Sequence, residues 1–554
     1  MIAETTVYVG KIWTGVSDDT WVDAFAVKGD RIIATGTLPE VKAQVGGQHQ
    51  VVEIDDGIIT PGLIDGHLHL SLAGTQLVHE LPIDPSDDAE AIISKVAAWT
   101  KNLEPGEWVI GGIIGSGTLP SLNNVEFLAK LDAASNGHPV LLRDDTMHNR
   151  QVNSAALEAM DVTPETEDPE GGTYVRDTQG RLTGALWELA ASVAEGVAAK
   201  SHKDGLERQV SALRAAIDRL SSLGITTVQD AATMLPHFEG LKALEASNDL
   251  NMRVITSMPI RPFIEPGTVG EELFSAGTQY ASQNVKPTFA KFVLDGVPTT
   301  LTTALLSPYK CVHGNHDPNF RGQLYWTLED LIASLRRCAE LGLGAKLHAT
   351  GDASVRQALD AAEVVRQDAN GGPAMQIAHM SFISPADLNR FAELDVAADA
   401  CPFMWFPSPL TDGVGEFVSD ETMAEIWPFK NLLASGAVIS GGSDWPVGLP
   451  VINPWLGIEG MVTRKGAIED GDDRTVNVQQ AITLPQALAA FTRESAKALG
   501  IADETGTIEP GKSADFIAID RNIFDIAIED VHNTKVNSRW MGGVAAEYQE
   551  ALSF

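Results

Sequence analysis

The chain has 554 residues, with 39 lysine and arginine residues against 75 aspartate and glutamate residues, so its formal net charge at pH 7 is −36. This charge repels phosphate backbones and anionic lipid, which argues against nucleic-acid and membrane-surface partners. Its hydrophobic content of 44% and charged content of 21% are typical of a soluble globular protein. The length indicates one large domain with additions, or two to three domains.

Cysteine usage and the N-terminal sequence bear on the cellular compartment of the protein. Cys311, Cys338 and Cys401 show no paired spacing, which argues against a disulfide scaffold or a Cys-rich zinc module. The N-terminal residues lack the basic stretch and apolar core of a signal peptide, and no run of about 18 apolar residues occurs. We therefore expect a cytoplasmic protein.

Short strands with tight turns are predicted at both ends of the chain. They cover residues 6–9, 24–27 and 31–34 near the start, and residues 514–519 and 537–541 near the end. We expect residues 1–60 and 500–554 to form one composite β-sandwich domain.

The middle of the chain repeats a helical pattern, a glycine and then a short apolar strand with a polar residue at its end. The glycines at 224, 342 and 436 each end such a helix. This alternation predicts a parallel sheet, and polar residues at successive strand ends favour a (β/α)₈, TIM-like barrel over residues 61–499.

Residues 80–210 interrupt this alternation. They are too many for an ordinary βα loop after the first barrel strand, and they contain strand patterns at 107–110 and 139–142 and a helical pattern at 153–160. We expect an inserted α/β subdomain over the barrel mouth, where the loops that follow the strands lie.

The most informative stretch is Pro61-Gly62-Leu63-Ile64-Asp65-Gly66-His67-Leu68-His69. Alternate residues of a strand share a face, so the two histidines would form half of a metal site at the strand end. A solvated loop can also contain such a pair by chance. Further candidates stand at the ends of later predicted strands: Lys291, His348, His379, Asp444 and, more weakly, Asp230.

Each of these candidates also has a structural explanation. His348 alone is compatible with a hydrogen-bonded core histidine, and Asp444 with the N-cap of a helix. Lys291 lies within an apolar strand, where a buried ammonium is costly unless it snorkels, pairs or is modified. Their occurrence in this order at successive strand ends is hard to explain by structure alone.

These motifs resemble the metal-dependent amidohydrolase superfamily, in particular its branch of N-substituted formamide deformylase and the YtcJ-like hydrolases. The resemblance extends to the stretches 143–148, 152–157, 183–188 and 506–515. It implies that Lys512 and Asp515 are structural. It also implies two divalent metals: His67, His69 and Asp444 would hold one, and His348 and His379 the other. A CO₂-derived carbamate on Lys291 would bridge them.

A site with one metal and only some of these ligands is the alternative. Imidazole and carboxylate ligands suit Zn²⁺ best, with Mn²⁺, Fe²⁺ or Co²⁺ as alternatives. The implied reaction is attack of a metal-activated hydroxide on an amide carbonyl, with Asp444 as general base and then general acid.

The substrate contacts are open between two interpretations. His148 is either an oxyanion donor or a structural histidine, and Phe403 and Trp405 either line a pocket or pack beneath the insertion. Glu188 belongs to one of the stretches that resemble this branch, but the sequence assigns it no role. His313 and His316 are spaced like metal ligands, but the sequence around them predicts an exposed loop.

We expect a hydrolase of a C–N bond in a linear amide, with an N-substituted formamide as the substrate that the resemblance favours. N-acyl amino acids, aryl amides, carbamates and cyclic amides are alternative substrates. Outside enzymes, a metal-binding regulatory protein without turnover is the alternative. The expected partner is a small-molecule amide, and a homodimer is compatible with these features.

Overall fold

The computed structural model describes residues 5–115, 117–200, 205–263, 265, 267–310, 317–401, 407–447, 452–466 and 473–546. The strands within these ranges, in chain order, are β1 Thr5–Trp13, β2 Trp21–Lys28, β3 Arg31–Gly36, β4 Gln50–Glu53, β5 Ile58–Pro61, β6 Leu63–Leu68, β7 Val109–Ile114, β8 Val140–Asp144, β9 Asn149–Val152, β10 Gly172–Arg176, β11 Leu182–Glu188, β12 Ile225–Asp230, β13 Arg253–Pro259, β14 Val285–Val293, β15 Gly344–Ala349, β16 Met375–His379, β17 Val396–Ala400, β18 Ile439–Gly441, β19 Phe516–Ile519, β20 Val536–Met541 and β21 Val544–Ala545.

The α-helices of the same ranges are α1 Leu38–Val45, α2 Leu70–His79, α3 Ala89–Trp99, α4 Leu119–Leu122, α5 Val125–Ala134, α6 Ser154–Ala159, α7 Leu189–Ala199, α8 Gly205–Ser222, α9 Leu235–Ala246, α10 Gly270–Gly277, α11 Leu328–Glu340, α12 Asp352–Val365, α13 Leu388–Glu393, α14 Pro409–Phe417, α15 Asp420–Ala424, α16 Phe429–Ala434, α17 Pro454–Thr463, α18 Leu484–Ala490 and α19 Arg493–Ala498. Among these described helices, none has both the length and the apolar character needed to span a bilayer.

Eight parallel strands form the central sheet, in the order β6-β12-β13-β14-β15-β16-β17-β18. Sequential parallel strands with helices between them follow from the helix–glycine–strand pattern of the sequence. Thr327, for example, caps α11 by accepting a hydrogen bond from the backbone N–H of Asp330 at 3.1 Å. The prediction of a barrel is confirmed as a nearly closed eight-stranded sheet.

Glycines let the first and last barrel strands approach each other closely. Asp444, just after β18, donates its backbone N–H to the carbonyl of His67 at 2.7 Å, and His69 donates to the carbonyl of Trp445 at 2.8 Å. A Cβ on Gly442 would lie 2.6 Å from the backbone nitrogen of His67. A residue with a side chain at 442 therefore cannot fit without moving β6.

Both ends of the chain contribute to a second sheet, in the order β21-β20-β19-β5-β1-β2-β3, with β4 paired to β1. Strand β19 from the C-terminal part pairs antiparallel with β5 from the N-terminal part. Aromatic side chains pack on this sheet, with Phe516 stacked on Trp540 at 4.5 Å between ring centroids. Asp515 accepts a hydrogen bond from Arg253 of β13 at 3.0 Å, which joins this sheet to the barrel. That residues 1–60 and 500–554 form a two-layered β-sandwich stays a prediction.

A third sheet, β10-β11-β9-β8-β7, lies in the sequence between β6 and β12. Strand β7 begins two residues later than predicted, because Glu107 closes a turn on Glu104 with a backbone hydrogen bond of 3.0 Å. Arg143 of β8 pairs with Glu195 of α7 at 2.7 Å and with Glu80, which follows α2. These buried pairs attach the third sheet to the segment after the first barrel strand. The predicted domain boundaries stay predictions.

We predict that Gly442→Ala lowers the free energy of unfolding by about 1–3 kcal/mol, because the added methyl group overlaps the backbone of His67. The urea midpoint of unfolding measures this effect. Gly205→Ala is the matched control, since a Cβ there meets no atom within 4 Å. Equal midpoints for the two variants would show that the barrel closure tolerates a side chain.

Candidate metal centre

His67 of the first barrel strand, His69 just after that strand and an aspartate after the last strand converge at the carboxyl end of the barrel. Nε2 of His67 lies 3.4 Å from Oδ1 of Asp444, and Nε2 of His69 lies 3.5 Å from the same oxygen. Nδ1 of His379, at the end of β16, lies 3.6 Å from Oδ2 of Asp444. All four side chains are buried.

The backbone at this point is held in an uncommon conformation. His379 and Asp444 have φ values of +71° and +58°, in the left-handed region that residues with a Cβ seldom occupy. Such conformations cost of order 1–3 kcal/mol each and are concentrated at functional sites. Here they turn both side chains toward the same point.

The facing atoms of His67 and Asp444 fit a metal ion. Nε2 of His67 and Oδ1 of Asp444 are both buried, and neither has a hydrogen-bond partner among the described residues. Leaving buried polar atoms unpaired is costly, so a group that bonds to both would stabilise the site. His67, His69 and Asp444 offer ligand atoms within 4.8 Å of one another, and so do His379, Cys401 and Asp444.

The electrostatics of the histidines suit ligation as well. Burial, together with the nearby positive charges of Lys346 and Lys291, lowers the pKa of His67 well below its ordinary value. Burial and neighbouring histidines likewise lower the pKa values of His348 and His379. These imidazoles are therefore neutral, which is the form that binds a metal.

The remaining predicted ligands line a cavity that His69 and Asp444 also border. His348, at the end of β15, lies with its ring centroid 4.6 Å from that of His379. Lys291, on β14, borders the cavity together with His69, His348 and Asp444. Burial and the charge of Lys346 lower the pKa of Lys291 to about 8. The six residues predicted as ligands thus border or contact one space at the barrel end.

The insertion adds His148 and Glu188 to this space. Nδ1 of His148 lies 2.9 Å from Oε2 of Glu188, and the ring of His148 lies 5.5 Å from that of His348. Burial alone would lower the pKa of His148, but the carboxylate of Glu188 outweighs it and raises that pKa. Thr302 donates a hydrogen bond to the other oxygen of Glu188 at 2.7 Å. His148 is therefore held in place from both the insertion and the barrel.

A profile of the amidohydrolase family matches residues 50–546. The chain belongs to the amidohydrolase family. The family is metal-dependent, in keeping with the groups of ligand atoms described above. This confirms the resemblance on which the sequence-based assignment rested.

Individual relatives agree with this membership. The amidohydrolase is 25% identical over 535 residues to N-substituted formamide deformylase of Arthrobacter pascens, with 94% of each chain covered. It is 28% identical over 555 residues to Protein LONG AFTER FAR-RED 3 of Arabidopsis thaliana, covering 98% of this chain and 91% of that protein. The solved structure of an uncharacterized metal-dependent hydrolase from Pyrococcus horikoshii matches with a TM-score of 0.73, at 22% identity and coverage of 95% and 99%, and shows the shared fold.

Sequence reasoning missed three buried residues of the amidohydrolase site. Asp399 of β17 lies 2.6 Å from Nδ1 of His67 and pairs with Lys346 of β15. Sγ of Cys401 lies 3.5 Å from Nδ1 of His379. Strand β17 has the sequence Val-Ala-Ala-Asp-Ala, whose small residues give no strand signal, and no motif marks Lys346 within its apolar surroundings. Only the barrel register brings them to the site.

Two acidic residues support the ligands through backbone contacts. Oδ1 of Asp65 accepts hydrogen bonds from the N–H groups of His67 at 3.1 Å and Ser443 at 3.0 Å, which joins the two strands that carry ligands. Asp230, the weaker sequence candidate, accepts the N–H of Leu70 at 3.1 Å. It therefore holds the backbone that follows His69 and is absent from the described groups of ligand atoms.

Other sequence candidates cannot be placed. Phe403 and Trp405, proposed to line a pocket, lie outside the described residues, and so do His313 and His316. The described part of the cavity wall contains other aromatic side chains that the sequence did not single out, Phe263 and Trp427.

We predict that Asp399→Asn weakens metal binding by about 10- to 100-fold, because the carboxylate that orients His67 is lost. Equilibrium dialysis against Zn²⁺ measures the affinity. Asp387→Asn is the control, since Asp387 is equally buried but pairs with Arg356 and Arg390 instead. An unchanged affinity in Asp399→Asn would mean that His67 needs no such support.

Proposed function

We propose that this amidohydrolase cleaves the C–N bond of a linear amide, with an N-substituted formamide as its substrate, and releases a carboxylic acid and an amine. The observation that carries the proposal is the convergence of His67, His69 and His379 on Asp444, where the buried Nε2 of His67 and Oδ1 of Asp444 have no hydrogen-bond partner among the described residues. The formamide is suggested by the similarity to the Arthrobacter pascens protein.

The ligand set supports a binuclear centre, with Zn²⁺ favoured by its imidazole and carboxylate donors. His67, His69 and Asp444 would hold one ion, and His348 and His379 the other. When bound, such ions lower the pKa of water and polarise a carbonyl oxygen. A site that keeps one ion on the first three residues is the alternative.

Lys291 would become a bridging ligand as a carbamate. A carbamate forms when the lone pair of the neutral amine attacks CO₂: the N–C bond forms, one C–O π bond breaks and leaves its electron pair on oxygen, and one amine proton is released to solvent. The pKa of Lys291, lowered to about 8 by burial and by Lys346, makes the neutral amine accessible near neutral pH. The modification also replaces a buried ammonium with an anion that can bind cations.

Asp444 would move the proton of the attacking water. Its carboxylate faces three imidazoles at 3.4–3.6 Å and borders the cavity. It can accept the proton as the water attacks the carbonyl carbon and then donate it to the departing nitrogen. The amine would leave neutral, and the carboxylate of Asp444 would be restored.

His148 would stabilise the negative charge that develops on the carbonyl oxygen. It borders the cavity, and Glu188 raises its pKa against the lowering effect of burial, which favours a ring that can donate a hydrogen bond. Its fixed position between Glu188 and the ring of His348 means that it need not reorganise during the reaction.

A substrate panel tests the proposal. The purified enzyme would be assayed with formamides, acetamides, N-acyl amino acids, aryl amides, carbamates and lactams, comparing kcat/KM before and after chelation and after Zn²⁺ is restored. We expect formamides to be cleaved fastest and chelation to abolish the activity. Preference for another class by about tenfold, or 1.4 kcal/mol, would replace the formamide but leave the hydrolase. Absence of turnover on every class would favour the regulatory alternative.

We predict that Asp444→Asn keeps much of the bound metal but lowers kcat by about 10²–10⁴, because the amide cannot carry the proton. Metal analysis and steady-state kinetics on the same preparation separate the two effects. Near-native turnover in this variant would contradict the role of Asp444 in proton transfer.

For His148→Gln we expect kcat to fall by about 10²–10³ with metal content retained, as for loss of an oxyanion donor. His138→Gln is the matched control, because His138 is a buried histidine of the same insertion whose Nδ1 lies 2.8 Å from the carbonyl of Glu107. If both variants lost activity equally, the effect of His148 would be structural.

A further inference from the structure

Cys401 stands at the end of the barrel strand that lies between two strands carrying ligands. The sheet order is β16-β17-β18, where β16 ends at His379 and Asp444 follows β18. Cys401 comes directly after β17, whose last residue, Ala400, pairs with Gly441. The thiol therefore lies at the same end of the barrel as His379 and Asp444, although the proposed ligand set does not include it.

The side chain of Cys401 is directed toward the ligand cluster. Asp399, two residues earlier, reaches Nδ1 of His67 at 2.6 Å, and alternate residues of a strand share a face. Cys401 is 2% exposed, and its Sγ lies 3.5 Å from Nδ1 of His379. Its sulfur lies within 4.8 Å of ligand atoms of His379 and Asp444, and also of ligand atoms of His67 and Asp399.

The separations around His379 are those of atoms that bind one metal ion. A tetrahedral Zn²⁺, with bonds of about 2.3 Å to sulfur and 2.0–2.1 Å to nitrogen, holds these two ligand atoms about 3.5 Å apart. It holds a nitrogen and a carboxylate oxygen about 3.4 Å apart. Nδ1 of His379 lies 3.5 Å from Sγ of Cys401 and 3.6 Å from Oδ2 of Asp444. The three side chains therefore need little movement to share a cation.

An unpaired buried oxygen indicates a ligand here independently of the thiol. Asp444 is 3% exposed, and its Oδ1 has no hydrogen-bond partner among the residues that the structure describes. A buried carboxylate oxygen without a partner costs free energy. A cation bound by Asp444 offsets this cost, and Cys401 is one of the side chains that can reach such a cation together with it.

The contact between Sγ and Nδ1 of His379 also has a simpler explanation, in which the thiol donates a weak hydrogen bond. That hydrogen bond is incompatible with a metal on the same nitrogen. Nδ1 has one lone pair, which cannot accept the S–H group and bind a metal at the same time. When His379 binds an ion through Nδ1, the thiol is left beside a cation without this acceptor, and loss of its proton turns it into a ligand.

We propose that Cys401 binds, as a thiolate, the ion that His379 holds. The inference rests on the metal centre of the proposed function and adds a sulfur ligand to it. On binding, the S–H bond breaks, its proton is released to solvent, and the electron pair left on sulfur forms the bond to the metal. A thiolate is a soft ligand, which favours Zn²⁺ over Mn²⁺. Cys401 therefore also contributes to the choice of metal.

X-ray absorption at the zinc edge of the zinc-loaded full chain tests the proposal. We expect a sulfur atom at about 2.3 Å from zinc, besides nitrogen and oxygen at about 2.0–2.1 Å. Cys401→Ala should lose the sulfur signal. Cys338→Ala is the matched control and should keep it, because Cys338 is a buried thiol of α11 that belongs to none of the described groups of ligand atoms.

Metal affinity gives a second readout that needs no turnover. In equilibrium dialysis we expect Cys401→Ala to weaken the binding of Zn²⁺ by about tenfold or more and that of Mn²⁺ by less than about threefold, because the lost ligand is soft. Cys338→Ala should leave both affinities unchanged.

The wild-type spectrum decides the proposal even if Cys401→Ala fails to fold. Bound zinc without a sulfur neighbour would overturn the proposal, as would a sulfur signal that persists in Cys401→Ala. A chain that binds no zinc would refute the metal centre of the proposed function and the thiolate ligand with it. A zinc–sulfur bond in a protein without turnover on any amide would refute the proposed hydrolysis but support the ligand.

Discussion

Hydrogen bonds between the first and last barrel strands determine where the ligands lie. Asp444 is bonded through its backbone to His67, and His69 is bonded to Trp445. Asp65 adds a carboxylate that accepts N–H groups from both strands. The two histidines and the aspartate are far apart in the sequence, yet this contact leaves them little freedom relative to one another.

Buried charge is the second constraint on the site. Lys346 lies inside the barrel, where it pairs with Asp399 and donates hydrogen bonds to Gln376 at 2.9 Å and to the carbonyl of Gly66 at 3.0 Å. Burial lowers the pKa values of His67 and Lys291, and the positive charge of Lys346 lowers both further. Burial and this lysine together keep an imidazole neutral and make a lysine amine easier to deprotonate. Both effects prepare the cluster to bind cations.

The sequence predicted the barrel and the residues at its strand ends because both leave a local pattern. His67 and His69 alternate at the end of an apolar run, His348 and Asp444 follow later apolar runs, and Lys291 interrupts one. Asp399, Lys346 and Cys401 have no such pattern, and their part in the site depends on which strands are neighbours in the closed sheet. The position of β7 was also shifted, because a turn at Glu107 replaced the start of the predicted strand. Tertiary pairing therefore supplied what local propensity could not.

The packing between the insertion and the ligand cluster could not have been predicted from the sequence. It depends on how the insertion places Met147 and His148 against Phe263 and Lys291, residues from three separate parts of the chain. Membership of the amidohydrolase family implies metal-dependent chemistry, but this packing is a property of the folded chain.

The central claim is that six distant side chains converge on divalent ions at one end of the barrel. A crystal structure of the zinc-loaded protein, with anomalous diffraction measured at the zinc edge, tests it most directly. The account predicts one ion bonded to His67, His69 and Asp444 and another bonded to His348 and His379, with density on Nζ of Lys291 reaching both. An ion bound elsewhere, or Lys291 and Asp444 outside bonding distance of the ions, would contradict it.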